Sequence, residues 1–194
     1  IGYQALTELT SGTHNTSIGG YVSQKLTTGN YNIAMGMNAH QYNTTGNYNV
    51  VIGNAALQLG TSVGYNVAIG YKSLNSSTSN SMTALGFQSL YKNTTGIECT
   101  ALGYKTLYYN TTGSFNIAIG NQTLLFNTTG NYNDAVGVGS LYSNTTGSNN
   151  TASGYYALRA NTTGIQNVAI GSNSLEKNTT GQYNTSVGYQ SLYN

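Results

Sequence analysis

Side chains that could do chemistry are scarce in this sequence of 194 residues. The acidic residues and histidines are Glu8, Glu98, Asp134, Glu176, His14 and His40. General acid–base catalysis and metal binding both require such groups to converge in space. The four acids occupy different places in the repeat described below and the two histidines occupy unlike columns, so the sequence builds no such group periodically. We therefore predict no catalytic residue, no metal site and no cofactor, in a protein that is not an enzyme.

The strongest local motif is Asn-Thr-Thr, which satisfies the N-x-S/T pattern of N-glycosylation acceptors. Its asparagines are Asn43, Asn93, Asn110, Asn127, Asn144, Asn161 and Asn178. As a local structure it predicts an Asn-Thr-Thr-Gly turn, in which Asn caps the backbone and Gly adopts the left-handed conformation. The two roles are compatible, because a glycan attaches at exposed turns. These asparagines are therefore our candidate glycosylation sites.

The composition excludes several classes of partner. Charged residues make up 5% of the chain and the net charge is +2, whereas a nucleic-acid footprint requires clustered Lys and Arg. No apolar run is long enough to span a bilayer. Cys99 is the sole cysteine, which we interpret as a small buried residue. We predict neither nucleic-acid binding nor membrane insertion.

A single repeat organises the whole chain. Its glycine, called here the register glycine, recurs every 17 residues, with one step of 16 between Gly70 and Gly86. The repeat covers residues 1–194, so we predict one domain without linkers. Because the chain begins and ends inside a repeat, we expect it to be a segment of a longer fibre.

The repeat has conserved columns, which we number from the register glycine. Position +4 holds leucine, as at Leu90, Leu107, Leu124, Leu141, Leu158 and Leu175. Position −4 holds asparagine, as at Asn32, Asn49, Asn66, Asn116, Asn133, Asn150 and Asn167. Position −1 is mostly aliphatic and position −2 is mostly Ala or Ser. We predict that the leucines and the asparagines of these two columns form structural ladders.

These columns predict an all-β fold, a parallel β-solenoid or β-roll with one coil per 17-residue repeat and about eleven coils. Two short runs per repeat, of the types NIAIG and YQSL, have strand composition and are bounded by turn residues. Coils about 4.8 Å apart would place like residues above one another in a rod of roughly 50 Å.

Positions −2 and −1 must face opposite sides of one strand. If the small residues face inward, an aliphatic stripe lies along the outside, and such a stripe marks an interface. If the aliphatic residues face inward, a single-chain rod suffices. The sequence leaves these two arrangements open.

Tyrosines recur at positions −5 and +5, where they predict aromatic stacking between coils. Alternatively, the same rows form a surface that binds carbohydrate or partner subunits. The repeated Thr-Thr pairs raise a third possibility, the threonine array of an ice-binding solenoid.

The segments NTTGNYNVVIG, NTASGYYAL and NTSVGYQSLYN resemble repeats of bacterial and phage tail-fibre-like proteins, which often precede an endosialidase-type chaperone domain. The NVAIG core is similar to the head repeat of YadA-like trimeric adhesins, which form a left-handed parallel β-roll. The adhesin repeat is shorter than 17 residues, and this chain contains no chaperone domain. The resemblance implies an extracellular, fibrous protein at a cell surface or on a virion fibre.

We therefore expect a structural, non-enzymatic subunit of an extracellular filament or of a surface or tail fibre. Its coils would stack end to end, glycans would attach at the NTT turns, and the chain would self-associate as a fibre or homo-trimer. The alternatives are a carbohydrate-binding adhesin, with cell-surface glycans as partners, and an ice-binding solenoid.

Overall fold

The structure is a computed structural model that describes residues 1–193, and it confirms the predicted parallel β-solenoid. Eleven strands form one parallel sheet in chain order. They are β1 Thr16–Ile18, β2 Ile33–Met35, β3 Val50–Ile52, β4 Val67–Ile69, β5 Thr83–Leu85, β6 Thr100–Leu102, β7 Ile117–Ile119, β8 Asp134–Val136, β9 Thr151–Ser153, β10 Val168–Ile170 and β11 Thr185–Val187. Each coil contributes one strand, so sheet and repeat have the same period.

The sheet pairs equal positions of neighbouring repeats. Ala118 in β7 lies opposite Ala101 in β6, and Ile119 lies opposite Leu102. The 16-residue step does not disturb this pairing, because β5 still places Ala84 opposite Ala68. The missing residue is therefore absorbed in the loop before β5.

Only one of the two predicted strand runs in each coil is a strand. The NIAIG type forms the three-residue strand, but the YQSL type is a turn. There positions +2 and +4 are left-handed, as at Gln122 (φ 54°) and Leu124 (φ 50°). Coil-to-coil bonds nevertheless continue, since Gln122 N donates to Tyr104 O at 2.9 Å and Leu124 N donates to Ser140 O at 3.1 Å. The prediction was wrong here because strand composition reflected burial and stacking, and not an extended backbone.

The register glycine ends each strand, for a reason visible at Gly120. Its φ is +134°, and a Cβ added there would lie 2.8 Å from the carbonyl carbon of Gly137 in the next coil. Any larger residue would be strained and would push neighbouring coils apart. This double requirement explains why the glycine sets the register of the repeat.

The core lies between the small residues of position −2 and the leucines of position +4. Ala118 and Leu124 are both fully buried and belong to one cluster. The predicted leucine ladder is buried throughout, at Leu90, Leu107, Leu124, Leu141, Leu158 and Leu175. Burying one such leucine stabilises the fold by about 1.5–3 kcal/mol. Of the two arrangements left open by the sequence, the structure adopts the one with small residues inside and aliphatic residues outside.

The asparagines of position −4 form the predicted amide ladder. Asn133 Nδ2 donates to Asn116 Oδ1 at 3.1 Å and to Gly147 O at 2.9 Å. The same side-chain bond joins Asn49 to Asn32, Asn66 to Asn49, Asn150 to Asn133 and Asn167 to Asn150. Met82 and Cys99 occupy this column in two neighbouring coils and interrupt the ladder.

Candidate functional site

Six of the seven NTT asparagines form a second amide ladder inside the rod, at position +7. The seventh, Asn43, lies outside this ladder and donates to Val63 O at 3.1 Å. Asn110 Nδ2 donates to Asn93 Oδ1 at 2.7 Å and to Gly113 O at 2.8 Å. Bonds between consecutive asparagines continue through Asn127, Asn144, Asn161 and Asn178. Both amide hydrogens of each ladder nitrogen are therefore used within the fold.

Their burial corrects the predicted glycosylation sites. Asn43, Asn93, Asn110, Asn127, Asn144 and Asn161 have no exposed surface. Asn178 is partly buried, and its Nδ2 donates to Asn161 Oδ1 and Gly181 O. N-glycans attach to this nitrogen, so a glycan at these positions would displace the ladder and the core around it. A row of sugars at the NTT turns is incompatible with this fold.

The turn differs from the predicted geometry as well. Its glycine does not take the left-handed conformation, which falls two residues later, for example on Phe115 (φ 58°). Gly113 is required for close approach, because a Cβ there would lie 2.5 Å from Gly130 O. The first threonine is engaged too, since Thr111 Oγ1 donates to Thr128 O at 3.0 Å. The second threonine of each pair is exposed, as at Thr112 and Thr163.

The acidic residues lie far apart on the rod, as their sequence positions indicated. Glu8 pairs with Lys25, and Glu176 lies 3.8 Å from Arg159. Asp134 is exposed in β8. Within residues 1–193, no three of the His, Cys, Asp and Glu side chains come together as a metal site would require.

The two histidines have opposite environments. His14 stacks on Tyr31 at the surface, with ring centroids 4.7 Å apart. His40 replaces a core leucine at position +4 and is fully buried, with Nδ1 3.4 Å from Ser23 Oγ and Nε2 lacking a partner among the described residues. Burial lowers the pKa of His40 to about 4. Burial likewise raises the pKa of the Cys99 thiol, which disfavours the reactive thiolate.

The outward side of the sheet carries exposed apolar side chains along the rod. We call it the outer sheet face, formed by the first and third residue of every strand. Its exposed members include Ile18, Ile33, Met35, Leu85, Ile117, Ile119, Val136, Ile170 and Val187. Its polar members are Asp134, Ser153 and the threonines that begin five of the strands, Thr16, Thr83, Thr100, Thr151 and Thr185.

Rows of aromatic side chains lie at positions −5 and +1, on either side of the strand in the sequence of each repeat. At position −5, Tyr31 stacks on Tyr48 with centroids 5.1 Å apart and planes 3° apart, and Tyr48 stacks on Tyr65 at 5.2 Å. At position +1, Phe87 lies between Tyr71 and Tyr104, at 5.2 and 5.3 Å. The predicted stacking between coils is thereby confirmed.

Two features were missed by reasoning from sequence. The first is the inner ladder of NTT asparagines, although its signal was the same recurrence every 17 residues that identified position −4. The second is a group of lysines packed against the tyrosines of neighbouring coils, such as Lys72 over Tyr91 at 6.0 Å. The sequence does place lysines at positions +2 and +6 of successive repeats. That these lysines lie close to the tyrosines depends on the geometry of the turn, which the sequence does not reveal.

Residues 1–193 enclose no cavity of the kind that holds a small molecule. The same part of the chain contains no helix with the length and apolarity needed to cross a membrane. Comparison of the sequence with models of protein families, with characterised proteins and with solved structures finds no significant match.

Proposed function

We propose that this protein is a structural subunit of an extracellular filament or surface fibre, in which rods associate side by side through the outer sheet face. The carrying observation is that aliphatic side chains recur on the outward side of the sheet, such as Ile119 at 37% exposure and Ile170 at 43%. Contiguous apolar surface of this kind is typical of protein interfaces.

The size of this surface suits a stable interface. Eleven strands at about 4.8 Å spacing, bordered by the aromatic rows, span roughly 50 Å by 20 Å, on the order of 1,000 Å². A stable interface buries about 800 Å² on each partner. The outer sheet face and its borders are therefore large enough to hold two rods together.

A second copy of the chain is the partner that this surface fits best. The strands follow one another in chain order, and the rows of the sheet repeat once per coil. Another rod has the same spacing, so its rows can interdigitate along the full length. A partner with a different repeat would lose register within a few coils.

The remaining features agree with a mechanical role. Backbone bonds between coils recur at several positions of every repeat, and the length of the rod is set by the number of repeats. The low proportion of charged residues, 5%, leaves little electrostatic repulsion between neighbouring rods.

Sedimentation analysis over a range of concentrations tests this proposal. The wild-type chain is expected to associate, and a variant with Ile119→Lys and Ile170→Lys is expected to remain monomeric, because it places charges inside the interface. The control carries Thr112→Lys and Thr163→Lys on the exposed second threonine of the turn. A wild-type chain that is monomeric at every concentration would contradict the proposal, as would equal loss of association in the control.

A further inference from the structure

Three lysines converge on one pair of stacked tyrosines in the middle of the rod. Tyr91 and Tyr108 stack with centroids 5.2 Å apart. Lys72 Nζ lies 6.0 Å from the Tyr91 ring, while Lys92 and Lys105 lie 6.0 and 5.6 Å from the Tyr108 ring. We call these five residues the lysine–tyrosine cluster. It spans three successive coils.

The charge of this cluster is not balanced by carboxylates. Lys25 and Arg159, elsewhere on the rod, pair with Glu8 and Glu176. No ion pair in residues 1–193 involves any of the three cluster lysines. The one acid of these coils, Glu98, occupies position −5, outside the positions that make up the cluster. The cluster is thus a concentration of positive charge in a chain with few charges.

The tyrosines offer their hydroxyl groups and edges, because each ring covers one face of the other. The Tyr91 and Tyr108 planes are 23° apart in a stacked arrangement, and Lys92 also lies 4.7 Å from the ring of Tyr109. Burial, followed by the neighbouring Tyr91 and Tyr109, raises the pKa of Tyr108. Its hydroxyl therefore keeps its proton and remains a hydrogen-bond donor at neutral pH.

We propose that the lysine–tyrosine cluster binds an acidic polysaccharide, a chain of sugars bearing carboxylates that lies along the rod. Ammonium groups recognise the carboxylates, and the phenol hydroxyls bond to sugar hydroxyls and ring oxygens. The site is open and extends along three coils, which suits a linear polymer and not a small molecule, since small ligands bind in enclosed pockets.

The same geometry argues against single-stranded nucleic acid. Proteins that bind it stack bases on free aromatic faces and track the backbone with a long basic groove. Here Tyr91 and Tyr108 stack on each other, so each ring covers one face of the other. Only three of the six basic residues lie in the cluster, and the net charge of the chain is +2, so no long basic groove is present.

This activity does not depend on assembly into fibres, since a single rod carries the whole cluster. If the fibre proposal is wrong, the wild-type chain sediments as a monomer. If the polysaccharide proposal is wrong, neither monomer nor assembly binds the polysaccharide. The two outcomes are measured separately.

The test is titration of the full chain with sodium polygalacturonate at low and at moderate salt. The variant K72Q/K92Q/K105Q is expected to bind at least tenfold more weakly, and the wild-type affinity is expected to fall as salt screens the charges. The matched control is Lys25→Gln, which alters a lysine at the surface of another coil and is expected to bind as the wild type does. Thermal unfolding verifies that each variant is folded.

Three further comparisons identify the ligand chemistry. Fully methyl-esterified polygalacturonate keeps the backbone without the charges and is expected not to bind. Tyr91→Phe with Tyr108→Phe keeps the stacked rings without the hydroxyls and is expected to weaken binding severalfold. Oligo(dT) is expected to bind more weakly than polygalacturonate. No binding of polygalacturonate, unchanged binding by the triple lysine variant, equal binding of the esterified polymer, or tighter binding of oligo(dT) would each overturn the proposal.

Discussion

Residues 103–178 and residues 60–99 share one coil architecture but differ in the side chains at positions −4 and +7. In the first region both amide ladders run without a break, through Asn133 at position −4 and Asn127 at position +7. In the second region, Met82 and Cys99 replace asparagines at position −4, and Ser77 stands at position +7. The strands nevertheless stay in the same register across both regions.

This difference separates what determines the fold from what strengthens it. Sheet pairing, the alanine and leucine columns and the register glycine are present in both regions. The amide ladders are complete in only one of them, so they are not needed for the coil to form. They satisfy buried polar groups where they occur, and a few apolar or thiol side chains can replace them locally.

The largest loss of stability is expected from substitution of the register glycine, which both regions share. Gly120→Ala and Gly86→Ala should each destabilise the fold by about 4 kcal/mol, through strain at positive φ and collision with the next coil. Gly86 has φ +138°, and its added Cβ would lie 2.2 Å from Gly103 O. Thermal unfolding followed by circular dichroism measures this.

Gly20→Ala is the control for those two changes, since a Cβ at Gly20 meets nothing within 4 Å. It should change the unfolding temperature little. If it were as damaging as Gly120→Ala, glycine would be required for another reason than the close approach of coils.

The next effect distinguishes the regions directly. Asn133→Ala should lower the free energy of unfolding by about 3 kcal/mol. The change leaves the backbone N–H of Asn150 and the carbonyl of Gly147 without their partner, Asn133. Cys99→Ala, at the same position in the interrupted region, should cost only about 1 kcal/mol, because the thiol is a weak hydrogen-bonding group. Denaturant titration compares the two. Equal losses would show that the ladder bonds contribute no more than packing does.

Much of this could be predicted from the sequence, and the exceptions have physical causes. The glycine and leucine columns predict the solenoid, because stacking repeats every coil at a fixed position. The inward direction of Ala118 could not be deduced, since either side of a three-residue strand can face the core. The burial of Asn110 was missed because Asn-Thr-Thr is equally suited to an exposed turn, and only the neighbouring coil supplies its partner, Asn93.

A third prediction concerns pH and the first coils, where Ser23 and His40 stand in the leucine column. The pKa of His40 is about 4 in the folded rod, against about 6.5 in an unfolded chain. Between these values the unfolded state binds more protons, so stability is full above pH 6.5 and falls as the pH drops towards 4. The loss across this window should be roughly 3 kcal/mol.

His40→Leu should abolish that dependence and restore the leucine ladder at this coil. Urea unfolding at pH 7 and pH 4.5 measures it in both proteins. An unchanged pH dependence in the variant would assign the effect to another group.

The smallest effect is expected from restoring an asparagine to the interrupted ladder at position −4. Cys99→Asn should stabilise the rod by about 1 kcal/mol, because the new carbonyl can accept from Asn116 and the new amide can donate to Gly113 O, which the thiol now contacts at 3.4 Å. Cys99→Ser, which lacks the amide, serves as the control. Denaturant midpoints compare the two, and equal values would show that residues 60–99 gain nothing from a continuous ladder.

Negative-stain electron microscopy of the purified chain tests our proposal that these rods associate along the outer sheet face. We expect straight rods, with a coil spacing that gives roughly 50 Å per chain, lying side by side or joined into longer fibres. The Ile119→Lys and Ile170→Lys variant should give single rods of the same length. Isolated globules in the wild-type sample, or fibres unaffected by the variant, would contradict the account.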